Sequence, residues 1–550
     1  MSTTFFKSKI YIYIILAVAS FVMYAQSLKY EYTFYDDVAL IQDNKDWFSD
    51  ISNLPKLFTT SVFRNDAAND NFYRPVLMLS FFTDTQLGGE NIFRVTNILL
   101  HMLCCIILFR LLLLFEINFQ LSSALAFLFC IHPLNVAAIA WLPGHNDSLL
   151  ALLVSASFLF FVKFRQGNLF KHGAFAAAFY FAALFTKESA LLFFPMFILY
   201  DFLYVKKYSF IYYASIIISI VIYFSARQSV IHHVEKPPAS FFISAMFNNL
   251  PAIFIYMGKM IFPFNLSTYP TIKDSIILYG IIVVALILIA AYFSFKKNYK
   301  AIFLFICWTI FSLAPVLIPS NDNIEMGLLE HRSYLSLMGF IHLVAIVING
   351  IYQLNRFRIY ALAVFTFAFI YFNLRHAQNY KSEFDFYSNA VATSPSSSFA
   401  HKGLGIYYQV QNKVIESKEQ YNIALALNPS IKEVRNNLAR LLMNDGSMPQ
   451  AMSLLKQELS MNPNSYTTCY NLASVYYQGN DFANAEVWYK KTLSINPIYI
   501  DAMNDYGALL ASQKRIKEAT MMFQQILVIN PNYTQATENL RLLQTISTQQ

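Results

Sequence analysis

Asn-Pro dipeptides recur at a constant interval near the end of this chain, at Asn428-Pro429, Asn462-Pro463, Asn496-Pro497 and Asn530-Pro531. Successive pairs are 34 residues apart, and Ser394-Pro395 lies 34 residues before the first. A fixed period of this length is typical of stacked helix pairs, because one pair alone cannot bury its apolar face. We therefore expect the last third of the chain to form an α-helical solenoid.

The repeats also share a pattern of small and large residues. With the proline at position 32, position 8 is small (Gly405, Ala439, Ala473 and Gly507) and position 24 is large (Tyr421, Leu455, Tyr489 and Phe523). Small residues let two helices approach and large ones fill the remaining space, as in tetratricopeptide (TPR) repeats. We predict a TPR domain at 376–550, with a partial repeat, four repeats ending at Pro429, Pro463, Pro497 and Pro531, and a capping helix.

Residues 1–375 have the composition of a membrane domain. The 550-residue chain is 56% hydrophobic and 13% charged, whereas soluble domains are about a quarter charged. Apolar stretches suited to spanning lie at 10–28, 96–115, 121–141, 147–164, 172–186, 189–205, 208–226, 244–262, 275–295, 300–319, 334–353 and 358–374. The sequence thus predicts an all-α fold, in which a polytopic membrane helix bundle precedes the TPR solenoid.

The charges predict a topology. Before residue 376 there are 26 Lys and Arg against 19 Asp and Glu, a basic excess that suits membrane orientation and not nucleic-acid binding. Basic loops are expected in the cytoplasm; they contain Lys7 and Lys9, Lys163 to Lys171, Lys206 and Lys207, Lys296 to Lys300, and Arg356 and Arg358. The N-terminus is then cytoplasmic, and the loop 29–95 and the TPR domain are extracytoplasmic. The Ile-, Asn- and Lys-rich composition favours a bacterial inner membrane.

One region conflicts with this topology. Three apolar stretches lie between Lys207 and Lys296, although an even number of crossings is needed to return to the cytoplasm. We expect the stretch 244–262 to lie along the outer face or to re-enter it, which leaves about eleven spans. A further span near 227–243 is the alternative.

The five cysteines indicate no metal site by their spacing. They are Cys104, Cys105, Cys130, Cys307 and Cys469, and four of them lie in apolar runs. Packing is the expected role, and no disulfide framework is implied.

An acidic pair follows the first apolar stretch, in Tyr32-Thr33-Phe34-Tyr35-Asp36-Asp37-Val38. A carboxylate close to the membrane, among aromatic residues, has surroundings that raise its pKa, which suits a general base. Such a base can serve a lipid-linked donor and a water-borne hydroxyl acceptor. The alternative is a solvated loop pair or a helix cap.

Further polar residues occur where membrane helices usually avoid them. They are Arg94, Asn97 and His101, then His132 and Asn135, His145 to Asp147, Lys187 and Glu188, and Glu330 to Arg332 with Tyr334. Ionisable groups at membrane depth are costly and generally face a polar cavity or a partner. We expect most of them to converge on a pocket around Asp36 and Asp37. A structural helix break at His132 and an interfacial charge pair at Lys187 and Glu188 remain the alternatives.

Six strings in a fixed order carry a family resemblance: Phe34-Tyr35-Asp36-Asp37, Tyr73-Arg74-Pro75-Val76, Asn97-Ile98-Leu99-Leu100-His101, His132-Pro133, Lys187-Glu188 and Glu330-His331-Arg332-Ser333-Tyr334-Leu335. With the trailing repeats, this order resembles the transmembrane and TPR-containing O-mannosyltransferases and their bacterial relatives, which belong to the GT-C glycosyltransferase class. The resemblance covers nearly the whole chain and depends on the order, not on any single string.

The resemblance implies a polyprenyl-phosphate-linked sugar donor, an active site on the non-cytoplasmic face and inversion at the anomeric carbon. Asp36 and Asp37 match the family's acidic pair, one of which is the base. The candidates for binding the donor phosphate are Arg74, Lys187, His331 and Arg332. The supporting pocket would contain Tyr73, Asn97, His101, His132, Asp147, Glu188, Glu330 and Tyr334.

The chain departs from the family in one motif. Members often carry His-Pro-x-His-x-Glu, whereas this chain has His132-Pro133-Leu134-Asn135-Val136-Ala137. An Arg often present in the next loop is His145 here. Because of these changes, mannose is not assumed as the sugar.

The predicted function is therefore transfer of a sugar to a hydroxyl of a polypeptide acceptor that the TPR array binds. The partners would be the lipid-linked donor, that polypeptide and membrane lipids. No cofactor is required, although a divalent metal is compatible with the chemistry. The alternatives are a non-enzymatic membrane scaffold that recruits envelope proteins, and a GT-C enzyme that acts on a glycan or lipid.

Overall fold

The computed structural model describes residues 3–64, 72–167, 169–231, 239–317, 328–349 and 356–548. Within these ranges all regular secondary structure is helical, which confirms the all-α prediction. The chain divides into two compact units, Met1–Ser396 and Ser397–Gln550. The short helix Glu383–Thr393, which the sequence assigns to the repeat domain, packs within the first unit.

The first unit is a bundle of long apolar helices joined by short helical turns. Its α-helices are Thr3–Tyr24, Asp36–Leu40, Lys45–Ser49, Pro75–Leu87, Glu90–Leu114, Phe119–Cys130, Val136–Ile139, His145–Gly167, Phe170–Leu184, Phe194–Tyr200, Phe210–Val230, Ala239–Lys259, Leu278–Leu313, Tyr334–Asn349, Arg356–Ala377 and Glu383–Thr393. The helix Leu278–Leu313 is two helices joined at a kink, where Asn298 has non-helical dihedral angles.

Eight helices in the described part of the chain are long and apolar enough to cross a membrane: Lys9–Lys29, Asn91–Leu114, Leu142–Gly167, Glu188–Val205, Phe210–Val230, Ser240–Lys259, Asn298–Leu317 and Glu330–Asn349. A ninth results if the pair Phe119–Cys130 and Pro133–Ile139, bent by 49°, forms one span. The protein is thus a membrane protein with several apolar spans, but the expected number of about eleven is not confirmed.

The difference lies in a few segments. The stretch 172–186 forms the helix Phe170–Leu184, whose 15 residues are too few for a full crossing. The stretch 275–295 forms only the shorter apolar helix Leu278–Phe293, and 358–374 is not among the eight. By contrast, 244–262 lies largely in Ser240–Lys259, which is long enough to cross. The alternative span near 227–243 includes residues 232–238, which lie outside the described residues.

Two glycines allow a close helix crossing in the bundle. A Cβ atom on Gly280 would lie 1.7 Å from the carbonyl oxygen of Phe254, and one on Gly258 would lie 2.7 Å from the backbone nitrogen of Gly280. Helices Ala239–Lys259 and Leu278–Leu313 can therefore touch through their backbones only because both positions lack a side chain.

The second unit has the predicted helix-pair repeats. Its helices are Ser398–Val410, Val414–Leu427, Val434–Asn444, Met448–Met461, Tyr466–Gln478, Phe482–Ile495, Ile500–Ser512, Ile516–Ile529 and Thr534–Thr548. A Cβ atom on Gly405 would lie 2.7 Å from the Tyr421 ring, and one on Gly507 would lie 2.8 Å from the Phe523 ring. The small residue at position 8 thus makes room for the large one at position 24.

The asparagine of the Asn-Pro pairs has a local role. Asn428, Asn496 and Asn530 each directly follow the last residue of a helix, and their side-chain oxygens accept from the backbone N–H two residues on, at 2.9, 3.3 and 3.1 Å. The proline between cannot continue the helix, so the pair fixes the turn into the next repeat.

Candidate functional site

Asp37 holds the loop that precedes helix Asp36–Leu40. Its carboxylate accepts from the backbone N–H groups of Thr33 at 2.6 Å and Tyr35 at 3.0 Å. The Thr33 hydroxyl donates to the same carboxylate at 3.1 and 3.2 Å. Burial raises the pKa of Asp37, and these hydrogen bonds to the ionised form oppose that rise. The buried carboxylate of Asp37 therefore already accepts hydrogen bonds that stabilise the loop.

Asp36 has a different environment. Its side chain is partly buried and makes no hydrogen bond among the described residues. Burial and the neighbouring charge of Asp37 raise the pKa of Asp36 to about 6, and the cations Arg332 and Arg74 oppose the rise. A carboxyl group with this pKa is ionised at neutral pH but is basic enough to accept a proton.

Aromatic rings hold the loop beside distant parts of the chain. The Tyr35 ring stacks on Trp141 at 5.8 Å between centroids and on Phe386 at 6.1 Å. The Trp141 indole N–H donates to the Thr33 hydroxyl at 3.0 Å. The loop that carries the acidic pair thus packs between the bent helix region near residue 140 and the helix Glu383–Thr393.

Arg94 fixes the start of the same loop. Its guanidinium donates to the carbonyl oxygens of Tyr30 at 2.7 Å and Glu31 at 2.9 Å. It also donates to the carbonyl of Ala140 at 3.2 Å. A buried cation thereby joins helix Glu90–Leu114 to the two segments that flank the acidic pair.

Arg74 forms a two-point ion pair with Glu188. Its Nε lies 3.0 Å from Oε2 and its Nη2 lies 2.5 Å from Oε1. Burial alone would lower the pKa of Arg74, but the Glu188 carboxylate raises it. Arg74 directly precedes Pro75, the first residue of a helix, and a residue in that position favours an extended backbone. The paired geometry fixes the guanidinium plane, as a phosphate-binding arginine requires.

Lys187 is held by a second carboxylate. Its Nζ donates to both oxygens of Asp147, at 2.8 and 2.9 Å. The Nε2 of His331 lies 3.7 Å from Asp147 Oδ2. Burial lowers the pKa of Lys187, and the Asp147 carboxylate counteracts that effect. Residues 147, 187 and 331 thus meet, although they lie in three separate parts of the chain.

Asp36 and the basic residues therefore form one charged cluster. We call Asp36, Arg74, Asp147, Glu188, Lys187, His331 and Arg332 the charged cluster. Opposite charges alternate in it, because Arg74 pairs with Glu188 and Lys187 pairs with Asp147. Arg332 acts electrostatically on both Asp36 and Asp147. Such an arrangement can hold an anionic ligand beside a carboxylate that accepts a proton.

Asn97 connects helix Glu90–Leu114 to the segment near residue 140. Its amide donates to the carbonyl of Ile139 at 3.1 Å, and its side-chain oxygen lies 2.6 Å from Nδ1 of His145. The other ring nitrogen of His145 lies 2.8 Å from the Ser80 hydroxyl. His145 is thus part of a buried hydrogen-bonded chain.

Four other candidates, His132, Tyr73, Tyr334 and His101, make contacts away from the charged cluster. His132 Nε2 lies 3.0 Å from the carbonyl of Met260. The Tyr73 hydroxyl donates to the carbonyl of Phe58 at 2.9 Å. The Tyr334 hydroxyl lies 2.6 Å from Nδ1 of His101 in the bundle interior. These contacts support the surrounding fold.

Glu330 forms a separate buried network. One oxygen accepts from Lys259 Nζ at 2.7 Å and from the Ser267 N–H at 3.0 Å, and the other lies 2.9 Å from His376 Nε2. Because its neighbour His331 belongs to the charged cluster, the turn Glu330–Ser333 connects the two networks. The sequence does not predict Lys259 or His376 as site residues, because neither lies in one of the six strings that carry the family resemblance.

Glu383 is a further residue near the acidic pair that no sequence pattern predicts. The backbone N–H of Glu31 donates to the carbonyl of Lys381 at 2.9 Å, and Phe386 stacks on Tyr35. These contacts bring Glu383 to the acidic pair, where burial and the charge of Asp37 raise its pKa to about 7. No sequence pattern indicates this proximity, because Glu383 lies almost 350 residues later, at the start of an ordinary amphipathic helix.

Comparisons with known proteins found two kinds of similarity. The family model described as "Tetratricopeptide repeat" matches residues 466–499. Protein O-mannosyl-transferase TMTC1 of Mus musculus is 32% identical over 152 residues, which is 26% of this chain and 16% of the mouse protein. The Homo sapiens protein of the same name is also 32% identical over 152 residues, 17% of its length. The matched part thus spans about a sixth of these relatives.

Among solved structures, YrrB, titled a TPR protein with an unusual peptide-binding site, shares 19% identity with a TM-score of 0.25. The match covers 28% of this chain and 80% of YrrB. The predicted resemblance is confirmed at this level: the chain is a TPR-containing membrane protein similar in sequence to protein O-mannosyl-transferase TMTC1.

Proposed function

We propose that this protein is a membrane glycosyltransferase that moves a sugar from a polyprenyl-phosphate-linked donor to a hydroxyl group of a polypeptide. The observation that carries the proposal is the environment of Asp36. Its partly buried carboxyl group has a pKa raised to about 6 and lies within the electrostatic reach of Arg74 and Arg332. The similarity to TMTC1 supports the same reaction class.

Asp36 is the proposed base, and Asp37 is a positioning residue. The hydrogen bonds of Asp37 to Thr33 and Tyr35 leave its carboxylate occupied, whereas Asp36 has none among the described residues. Asp36 takes the proton of the acceptor hydroxyl as that oxygen bonds to the anomeric carbon. The bond from that carbon to the phosphate oxygen breaks at the same time, and its electron pair leaves with the phosphate. Attack opposite the leaving group inverts the anomeric configuration.

The cations of the charged cluster stabilise the departing phosphate. Arg332 is the first candidate, because it acts on both Asp36 and Asp147. Arg74 and Lys187 are held in place by Glu188 and Asp147 before a donor arrives, so little reorganisation is needed. A general acid is unnecessary, since a phosphate is a good leaving group.

The location follows from the same proposal. Asp36 and Asp37 come directly after the first apolar helix, Lys9–Lys29. Basic loops favour a cytoplasmic N-terminus and hence an extracytoplasmic acidic pair in a bacterial inner membrane. An odd number of spans, such as the nine that result if the bent pair is one span, puts the TPR array on the same side. The TPR array would then bind the polypeptide acceptor.

A transfer assay tests the proposal. The purified full-length protein is incubated with polyprenyl-phosphate sugars, mannose among them, and with peptides rich in Ser and Thr, and the products are identified by mass spectrometry. We expect transfer by the natural chain and by the control Asp46→Asn, an exposed carboxylate of the same loop, but none by Asp36→Asn.

The assay also separates the alternatives. Transfer to glycan or lipid acceptors but not to peptides would support a GT-C enzyme with another acceptor. Equal product from the natural chain and from Asp36→Asn would refute the assigned base. A folded protein that transfers no sugar to any acceptor would favour the membrane scaffold.

A further inference from the structure

Three potential metal ligands meet inside the membrane bundle, apart from Asp36 and the cations of the charged cluster. The ring nitrogens of His101 and the thiols of Cys105 and Cys130 offer ligand atoms that all lie within 4.8 Å of one another. All three side chains are fully buried. His101 and Cys105 are four residues apart on helix Glu90–Leu114, so they share one face, and Cys130 ends helix Phe119–Cys130. The sequence does not reveal this group, because Cys130 is remote along the chain from His101 and Cys105.

The distances within the group suit a tetrahedral ion. Zinc bonds of about 2.3 Å to sulfur and 2.0–2.1 Å to nitrogen place two tetrahedral ligands roughly 3.6 Å apart. The Cys105 Sγ lies 3.7 Å from His101 Nε2. Ser20 Oγ lies 3.2 Å from Cys130 Sγ and supplies a fourth polar atom from helix Thr3–Tyr24. Small side-chain rotations would therefore close the group around one ion.

Charge neutrality favours Zn²⁺ over a monovalent ion. Two thiolates and one neutral imidazole carry two negative charges, which Zn²⁺ cancels. An uncompensated charge in the bundle interior would be costly, so a neutral complex is the stable one at this depth. Thiolate and imidazole are also ligands that Zn²⁺ prefers, whereas Mg²⁺ and Ca²⁺ prefer oxygen.

Tyr334 supplies the outer partner that zinc-bound histidines usually have. Its hydroxyl lies 2.6 Å from His101 Nδ1. When Nε2 binds the ion, the ring proton resides on Nδ1 and is donated to the Tyr334 oxygen, which orients the ring. In that state His101 gives up its 3.0 Å contact with the carbonyl of Cys130, so binding exchanges one hydrogen bond for a metal bond.

We propose that His101, Cys105 and Cys130, with Ser20 as a fourth neighbour, form a structural zinc site. The ion would tie together helices Thr3–Tyr24, Glu90–Leu114 and Phe119–Cys130, on which these residues lie. Tyr334 would connect it to the helix that follows His331 and Arg332. The zinc site does not depend on the proposed transferase activity, because none of its residues binds the donor or the acceptor in that proposal.

Metal content and cobalt spectroscopy of the purified full-length protein test the site. We expect about one zinc per chain by elemental mass spectrometry. Replacement by Co²⁺ should give thiolate-to-cobalt absorption in the near ultraviolet and the visible bands of a tetrahedral ion. Cys105→Ser and Cys130→Ser should each lower the zinc content at least several-fold.

Cys104→Ser is the matched control. Cys104 is equally buried and adjacent on the same helix, but it is not part of the group, so this variant should keep its zinc. If the cysteine variants fail to fold, the cobalt spectrum of the natural chain still decides. Absence of stoichiometric zinc together with absence of a thiolate–cobalt band would overturn the proposal. A Cys105–Cys130 disulfide, detected by mass spectrometry without reduction, would overturn it as well.

Discussion

Replacing Asp36 with asparagine should abolish sugar transfer and at the same time stabilise the fold at neutral pH. The pKa of Asp36 is raised from 3.8 to about 6 in the folded protein. The folded state therefore binds a proton more tightly than the unfolded chain, and ionisation costs about 3 kcal/mol at 1.36 kcal/mol per pKa unit. Asparagine keeps the size of the side chain and removes that cost.

The sign of the effect depends on pH. Above about pH 6 the natural carboxyl group is ionised in both states, so the full cost is present and Asp36→Asn should gain up to about 3 kcal/mol. Below about pH 4 the group is protonated in both states, and the gain should vanish. Stability of the natural chain should thus fall as the pH rises between these limits, relative to the variant.

Thermal unfolding in detergent micelles, followed by intrinsic fluorescence at several pH values, measures this difference. Asp46→Asn is the control for loss of an exposed negative charge in the same loop. A stabilisation of Asp36→Asn that is the same at pH 4 and pH 7 would refute the reasoning, because burial of an ionised carboxylate would not be its cause. Lower stability at pH 7 would refute it as well.

Three further outcomes are expected. Arg74→Lys should lower kcat/KM for the lipid-linked donor roughly ten- to hundredfold, because lysine cannot keep the two-point pair with Glu188. The rate of sugar transfer should rise with pH to a plateau, with a midpoint near the pKa of Asp36, about 6, since the base must be ionised. Gly280→Ala should destabilise the bundle by about 1–3 kcal/mol or more, measured as a lower unfolding temperature, because the added carbon would lie 1.7 Å from Phe254 O.

Each outcome has a control. Gly167→Ala should leave the unfolding temperature nearly unchanged, since a Cβ atom there meets nothing within 4 Å. For the arginine, a double-mutant cycle with Glu188→Gln should show coupling; additive effects would mean that the pair does not act as a unit. A pH–rate profile without an inflection between pH 5 and 7 would contradict the assignment of the base.

The repeats could be predicted in detail because their packing is encoded locally. The small residue at Gly405 and the large one at Tyr421 are only 16 positions apart, and the same pair recurs at Gly507 and Phe523. The number of membrane spans was predicted less well. Composition alone does not distinguish a full crossing from a short apolar helix such as Leu278–Phe293.

The candidate site was predictable only in part. The acidic pair and the basic strings stand out because polar residues are rare in apolar surroundings. Their pairing does not follow from the sequence: Arg74 and Glu188 are 114 positions apart, and either Lys187 or Arg332 could have been the partner of Glu188. Glu383 could not be predicted as a site residue, because a carboxylate at the start of an amphipathic helix is not distinctive. Only the fold brings it close to Asp37.

We expect a lipid-linked phosphate to bind between Asp36 and the cations of the charged cluster. A cryo-EM structure of the full-length protein with a polyprenyl-phosphate sugar measures this most directly. We expect phosphate density within hydrogen-bonding distance of Arg332, Arg74 or Lys187, with the anomeric carbon facing Asp36. Density for the phosphate elsewhere in the bundle, with Asp36 remote from the sugar, would contradict it.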